Sequence, residues 1–257
     1  MRIQPLGSGS RGNATLVEFG STRLLVDAGL SSRRLTRSLD AVGVAAREVD
    51  AILLSHEHED HTRGAERFSR THRVPVICTA ETLEAMDCSP AHFARWQPLR
   101  PAGYLDLGSV RVESFPVPHD AVNPVGFVLH GEGLRVGVAT DLGHATTLVV
   151  ERLRGCDVLM VESNHDDRML QDGPYPWHIK QRVSGRLGHL SNREAADVLS
   201  ETVDAGCRAV ILAHLSESNN TPELARRTAS GVLARTTARR VEMRVARVGG
   251  PTPAVRL

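Results

Sequence analysis

Lysine is nearly missing from this 257-residue chain: Lys180 is the only one, and arginine supplies the rest of the positive charge. Genome composition explains that bias as readily as phosphate chemistry does. The formal net charge is +1, so bulk charge does not mark a nucleic-acid binder, and any attraction for phosphate has to be local. Aromatic residues make up 4% of the chain, which excludes a broad base-stacking platform. The four cysteines, Cys78, Cys88, Cys156 and Cys207, form no C-x-x-C pair. That argues against a zinc ribbon or a disulfide framework, and they read as small core residues in a reducing compartment. There is no charged-then-apolar leader and no apolar run of about 18 residues. A cytoplasmic protein without a membrane partner is the expectation. The length suits one large domain spanning 1–257, and no internal repeat or long linker divides it.

Histidine is what the chain has in the right place. Ser55-His56-Glu57-His58-Glu59-Asp60-His61 reads H-x-H-x-D-H directly after the apolar run Ala51–Leu54. Three imidazoles and a carboxylate within six residues are donors that suit zinc and similar ions, and a buried strand delivers them to a loop.

The remaining pattern is a list of short strands and helices. Ala14–Phe19 and Thr22–Val26 read as a hairpin around Gly20-Ser21, and Ser31–Leu39 as a helix capped by Ser31 or Ser32. Thr62–His72 has helical spacing, Val74–Cys78 is a strand, and Thr79 caps a helix through Met86. Val110–Pro116, Val125–His130 and Leu134–Ala139 are strands, followed by a helix over Ala145–Leu153 and a strand over Val158–Val161. Residues 165–190 are the least regular stretch. Ser191-Asn192-Arg193-Glu194 is a capping box opening a helix through Val203. Ala209–Leu212, a helix over Pro222–Leu233 and a closing strand over Val241–Val248 complete the list. Two central sheets with helices outside both is the simplest packing of such elements.

Further metal-type donors stand where strands stop: Asp27 after Leu24–Val26, His119 after Val110–Val117, Asp141 after Leu134–Ala139, and His214 after Val210–Leu212. One strand-end His or Asp is ordinarily a turn residue, but four of them together with the cluster make a constellation. With these residues in this order, the chain resembles the metallo-β-lactamase superfamily. The resemblance implies an α+β fold, a four-layer αββα sandwich with the site along one edge of the sheets. It assigns His56, His58 and His119 to one divalent ion, Asp60, His61 and His214 to a second, and Asp141 to both. Asp27 would orient ligands from behind. Zn²⁺ and Mn²⁺ both suit such a donor set. Antibiotic-hydrolysing members commonly carry Cys where Asp141 stands, whereas the oxygen donor matches phosphodiesterase and glyoxalase-type members. A pair of divalent ions outweighs the two carboxylates, leaving a positive site for an anionic phosphodiester, with metal-bound hydroxide as nucleophile.

Other segments narrow the branch. Gly7–Asn13 is a glycine-rich turn whose amides, with Ser8, Ser10 and Asn13, could hold a phosphate. Glu162 and His189 suggest a proton-transfer pair, the carboxylate fixing the tautomer of an imidazole that protonates the leaving group. A similar Glu and Gly-His occur in ribonuclease Z-like relatives. His165, in Glu162-Ser163-Asn164-His165, could contact substrate. Together with Gly188–Asn192 and Leu212–Asn220, these segments resemble the YycJ/WalJ (VicX) family, whose members are described as 5′-to-3′ DNA exonucleases. That resemblance implies DNA ends or single strands as partner and Asp60, Glu162 and His189 as catalytic residues. Lys180, Arg182, Arg186 and Arg193 form a carboxylate-free basic stretch that could track a nucleic-acid backbone, with Tyr175 and Trp177 before it. The chain is short for an added β-CASP domain, which favours ends or single strands over long duplexes. The rival readings are a small-molecule hydrolase on the same site and a metal-stabilised regulatory module.

Overall fold

In the computed structural model, residues 1–236 and 241–257 are described, and their strands form two seven-stranded sheets. In the first, β1 (Arg2–Gly7), β2 (Ala14–Phe19) and β3 (Thr22–Val26) run antiparallel, and β4 (Ala51–Leu53), β5 (Val76–Cys78) and β6 (Trp96–Pro98) continue parallel to β3. In the second, β7 (Gly103–Leu107), β8 (Val110–Pro116), β9 (Val125–Gly131) and β10 (Leu134–Ala139) are antiparallel, and β11 (Val158–Glu162), β12 (Ala209–Ala213) and β13 (Glu242–Val245) continue parallel to β10. A last strand, β14 (Val255–Arg256), returns to the first sheet and pairs with β1.

Neighbouring apolar residues in a strand point to opposite faces, so each sheet feeds two cores. Leu24, Leu53, Phe127, Leu129, Met160 and Ile211 meet between the sheets. Their neighbours Leu25 and Ile52 turn outward to α1 (Ser32–Ala41) and α3 (Ala65–His72), packing on Leu35, Leu39 and Phe68. Val128, Leu159 and Val210 do the same on the other side, under α5 (Thr147–Leu153), α8 (Asn192–Thr202) and α9 (Pro222–Leu233). The four-layer αββα expectation holds. Burial on both faces explains why the central strands read as continuous apolar runs rather than alternating ones. None of the described helices is long and apolar enough to cross a membrane.

Several local expectations need correction. The helix read over Thr62–His72 is two pieces, α2 (Glu59–Thr62) and α3, separated where Gly64 donates its N–H to the Ala28 carbonyl. The strand read over Val241–Val248 shrinks to β13, and β14 was not foreseen, nor were the edge strands β6 and β7. β7 alternates half-buried and exposed residues, so it lacks the apolar run that marks a central strand. The stretch 165–190, read as irregular, contains α6 (Asp167–Asp172) and α7 (Trp177–Val183). Asp166 caps α6, accepting from the Arg168 and Met169 amides, and Pro176 opens α7. The caps at Ser31, Thr79 and Ser191 are as read, with Thr79 opening α4 (Ala80–Ala85).

Phe127 is 1% exposed at the centre of the inter-sheet core. Phe127→Ala is expected to cost about 3–5 kcal/mol, read as a lowered urea midpoint at constant m-value. A loss below about 1 kcal/mol would show that this layer does not hold the sheets together.

Candidate metal centre

Parallel strands end on the same side of a sheet, and in open α/β sheets that carboxyl edge is where ligands bind. Here the edges of both sheets converge. Asp27 follows β3, Ser55–His61 follow β4, Asp141 follows β10, Glu162 is the last residue of β11 and His214 follows β12. Register fixes their neighbours: Val26 pairs with Leu53 and Glu162 with Ala213.

Three of these residues hold left-handed backbone conformations rare outside glycine: Asp27 (φ 62°), Asp141 (φ 56°) and His214 (φ 54°). Such strain concentrates at functional sites and persists where surrounding contacts over-determine it. The Asp27 amide donates to Leu53 O at 2.8 Å, and the His214 amide to Ser8 Oγ at 2.7 Å. Gly29 lets the Asp27 segment touch the histidine-rich loop, because a Cβ there would lie 1.6 Å from the Asp60 carbonyl oxygen. A Cβ at Gly188 would fall 2.2 Å from the Arg182 and Val183 carbonyls, so the turn presenting His189 also needs glycine.

The donor atoms gather in overlapping sets, each within 4.8 Å: His56, His58 and His119; Asp60, His61 and His214; His56, His61 and Asp141; and Asp141, Glu162, His189 and His214. All seven expected ligands therefore meet, and Asp141 lies between the two histidine groups. The outward ring nitrogens are fixed from behind. Asp27 Oδ2 accepts from His61 Nδ1 at 2.8 Å, turning Nε2 inward. Ser55 Oγ stands 2.9 Å from His56 Nδ1 and donates to Asp27. Gly188 O accepts from His119 Nδ1 at 3.0 Å. Glu162 Oε1 accepts from both His214 Nδ1 (2.9 Å) and His189 Nδ1 (2.7 Å), while Oε2 takes the Leu142 and Leu190 amides.

What these supports leave over is the signature of a cation site. His56 Nε2 is buried without a hydrogen-bond partner, and Asp141 Oδ2 and His214 Nε2 face only other donor atoms of the site, His61 Nε2 at 3.1 Å and Asp60 Oδ2 at 3.5 Å. Buried polar atoms left unpaired are costly, and groups that all aim at one space need a ligand there. The donor set of imidazoles and carboxylates fits divalent metal ions.

A family model described as a beta-lactamase superfamily domain matches residues 22–215. The exodeoxyribonuclease YycJ of Bacillus anthracis is 34% identical over 235 residues, covering 91% of this chain and 89% of that protein. The exodeoxyribonuclease WalJ of Streptococcus pneumoniae is 34% identical over 238 residues, covering 89% and 87%. This chain belongs to the YycJ/WalJ family of the metallo-β-lactamase superfamily. The metallo-β-lactamase-fold protein YhfI of Bacillus subtilis shares the fold at 18% identity, with a TM-score of 0.75 over 97% of this chain and 98% of that one.

In this YycJ/WalJ-family chain the buried charges set one another's protonation. Burial would raise the Glu162 carboxyl, but His189 and His214 outweigh it and hold its pKa at about 2. Burial would lower His214, yet Asp141, Asp60 and Glu162 push it up to about 10. His61 is raised well above the ordinary imidazole value, the Asp141 and Asp27 carboxylates outweighing its burial. His56 goes the other way, lowered by burial and by the neighbouring His61.

The residues expected to bind substrate fare differently. Ser8, 2% exposed, accepts the His214 amide through its hydroxyl oxygen. Asn13, 6% exposed, clasps its own turn through the Gly9 amide and reaches Asp60 Oδ2 at 3.1 Å. Both touch residues of the donor set, and only Ser10 of the three is exposed. His165 is buried with Nδ1 unpartnered. The basic stretch is not a loose arm: α7 is helical, Arg182 Nε is 2.6 Å from Asp120 Oδ2, Lys180 donates to Gln171 O, and Arg186 meets His144. Ser55 was not singled out from sequence. Its only signal was its place between the strand and the first histidine, where a hydroxyl can serve Asp27 and His56 together.

Two outcomes follow. Asp27→Asn keeps the shape but removes the carboxylate behind His61, and is expected to weaken Zn²⁺ binding about 10–100-fold in a chelator competition titration. Unchanged affinity would remove Asp27 from the site. His61 and His214, both raised, carry a proton at neutral pH that a cation must displace from Nε2, while Nδ1–H stays bonded to Asp27 or Glu162. Metal uptake should therefore release protons, measured by pH-stat, with affinity rising between pH 6 and roughly 9.

Proposed function

We propose that this chain is a dinuclear metal-dependent phosphodiesterase that degrades DNA strands from the 5′ end. The reading is carried by one observation: Asp141, a carboxylate, sits between two sets of histidine donors in a chain similar over about nine-tenths of its length to proteins named exodeoxyribonucleases. His56, His58 and His119 would hold one ion, Asp60, His61 and His214 the other, with Asp141 serving both. Zn²⁺ suits the imidazoles and Mn²⁺ the carboxylates. Bound ions supply an acidified water and neutralise charge building on the phosphoryl oxygens. The protein acts in the cytoplasm as a single domain.

The chain's own groups complete the chemistry. His189 is one-fifth exposed where the other imidazoles of the centre, apart from His58, are buried, and its Nδ1 bond to Glu162 leaves Nε2 for substrate. Burial would lower its pKa, but Glu162 and Asp141 outweigh that and raise it, which favours the protonated form. As water oxygen bonds to phosphorus and the bond to the leaving sugar oxygen breaks, Nε2 hands its proton to that oxygen and recovers one from the attacking water. Asp60, also held below the usual carboxylate range, stays charged beside the nucleophile; burial opposes this, but His214 and His61 outweigh it.

End-labelled DNA and RNA digested across several metals test the reading. Asp141→Ala should lower the rate about a thousandfold, the several kcal/mol that charge stabilisation contributes. His189→Ala should lose about a hundredfold or more in kcat, with the acidic limb of the pH profile shifted. Turnover of small esters with no oligonucleotide degraded would sink the nuclease reading, and an Asp141→Ala protein at full activity would sink the site.

A further inference from the structure

A second cavity, of about 790 Å³, lies beside the metal centre and takes no part in it. One wall is the loop that starts at Leu215, the residue after His214; the others are the first turns of α9, and β13 with the segment beyond it. That volume falls within the range of small-molecule sites. Its charge is one-sided. Arg226, Arg244 and Arg247 line it against a single carboxylate, Glu217, which is already paired with Arg11 at 2.7 Å. Arg244 leans on Glu242, yet its Nε is buried without a partner. Arg226 and Arg247 are exposed and make no ion pair among the described residues.

Guanidinium groups that outnumber their carboxylates, as Arg226 and Arg247 do here, match phosphate, which they bind in a planar, two-pronged fashion. In a chain of net charge +1 this concentration is local. The basic residues of α7, by contrast, are spent on Asp120 and on carbonyls. Ser216, in the cavity wall, is two residues from His214, so chain length alone keeps their Cα atoms within about 7.6 Å. We propose that the cavity is a phosphate-binding subsite that holds the DNA strand on the His214 side of the reacting bond. The inference rests on the nuclease reading and adds where the rest of the strand is gripped.

The test compares wild type with R226A/R247A on single-stranded DNA of graded length, on a dinucleotide, and at two salt concentrations, with thermal melts to confirm folding. The variant should bind long strands at least about tenfold more weakly in KM, with kcat and dinucleotide turnover unchanged. Its salt dependence should be shallower by about 1.4 in log–log slope, the loss of two single-strand phosphate contacts. R226K/R247K, which keeps the charge but not the planar fork, should restore the salt slope and only part of the KM. A double-alanine variant with wild-type length dependence and salt slope overturns the proposal. So does one that loses only inhibition by free mononucleotide, since the cavity would then hold a nucleotide rather than the strand. A wild-type protein inactive on every oligonucleotide overturns the nuclease reading, and this inference with it.

Discussion

Carboxylate and imidazole buried side by side are the condition for everything else in this structure. Asp27, Asp141 and Glu162 are at most 3% exposed, so the oxygens of each need partners inside the protein. Taking a charge out of water costs several kcal/mol, and removing one partner of such a pair leaves the other stranded. Each of the three therefore exists by virtue of the histidines it faces, and those histidines are oriented by it. Glu162 is the extreme case, with two imidazoles on one oxygen and two backbone amides on the other. Removing one member therefore leaves its partners less well held.

The scaffold supplies that unit by ending strands together. Each sheet is an antiparallel meander continued by parallel strands, so the two halves of the chain deliver side chains to one edge by the same device. The long connection through α6 and α7 closes over that edge. Its Gly188 carbonyl steadies His119, and its end presents His189. The turn at Gly7–Asn13 braces the opposite side through Ser8 and Asn13.

Much of this was legible in the amino-acid order, for physical reasons. Central strands buried on both faces write themselves as apolar runs, and donors placed where those runs stop were readable as a set: His56 to His61, His119, Asp141 and His214 all meet. The edge strands β6, β7 and β14 were not, because a half-exposed edge needs no apolar pattern. The helices in 165–190 were hidden by short length and by Gly and Pro at their ends. Ser8 and Asn13 were readable as polar turn residues but not by direction: nothing in a Gly-Ser turn says whether a hydroxyl faces solvent or braces the backbone of a residue some two hundred positions away. Likewise Asp120, the carboxylate that ties down Arg182 of α7, lies far away in the chain, and linear charge runs do not reveal such pairing.

Asp27, Asp141 and His214 hold a backbone conformation that glycine or asparagine would occupy at less cost. Each is thus a place where selection for a sturdier fold and selection for a working centre pull in opposite directions. Freed from its chemistry, a descendant of this chain would drift at these positions toward residues at ease with the left-handed turn. That makes these positions a gauge: a similar sequence with small residues at these three strand ends would keep the turn at less cost but lack the donor set.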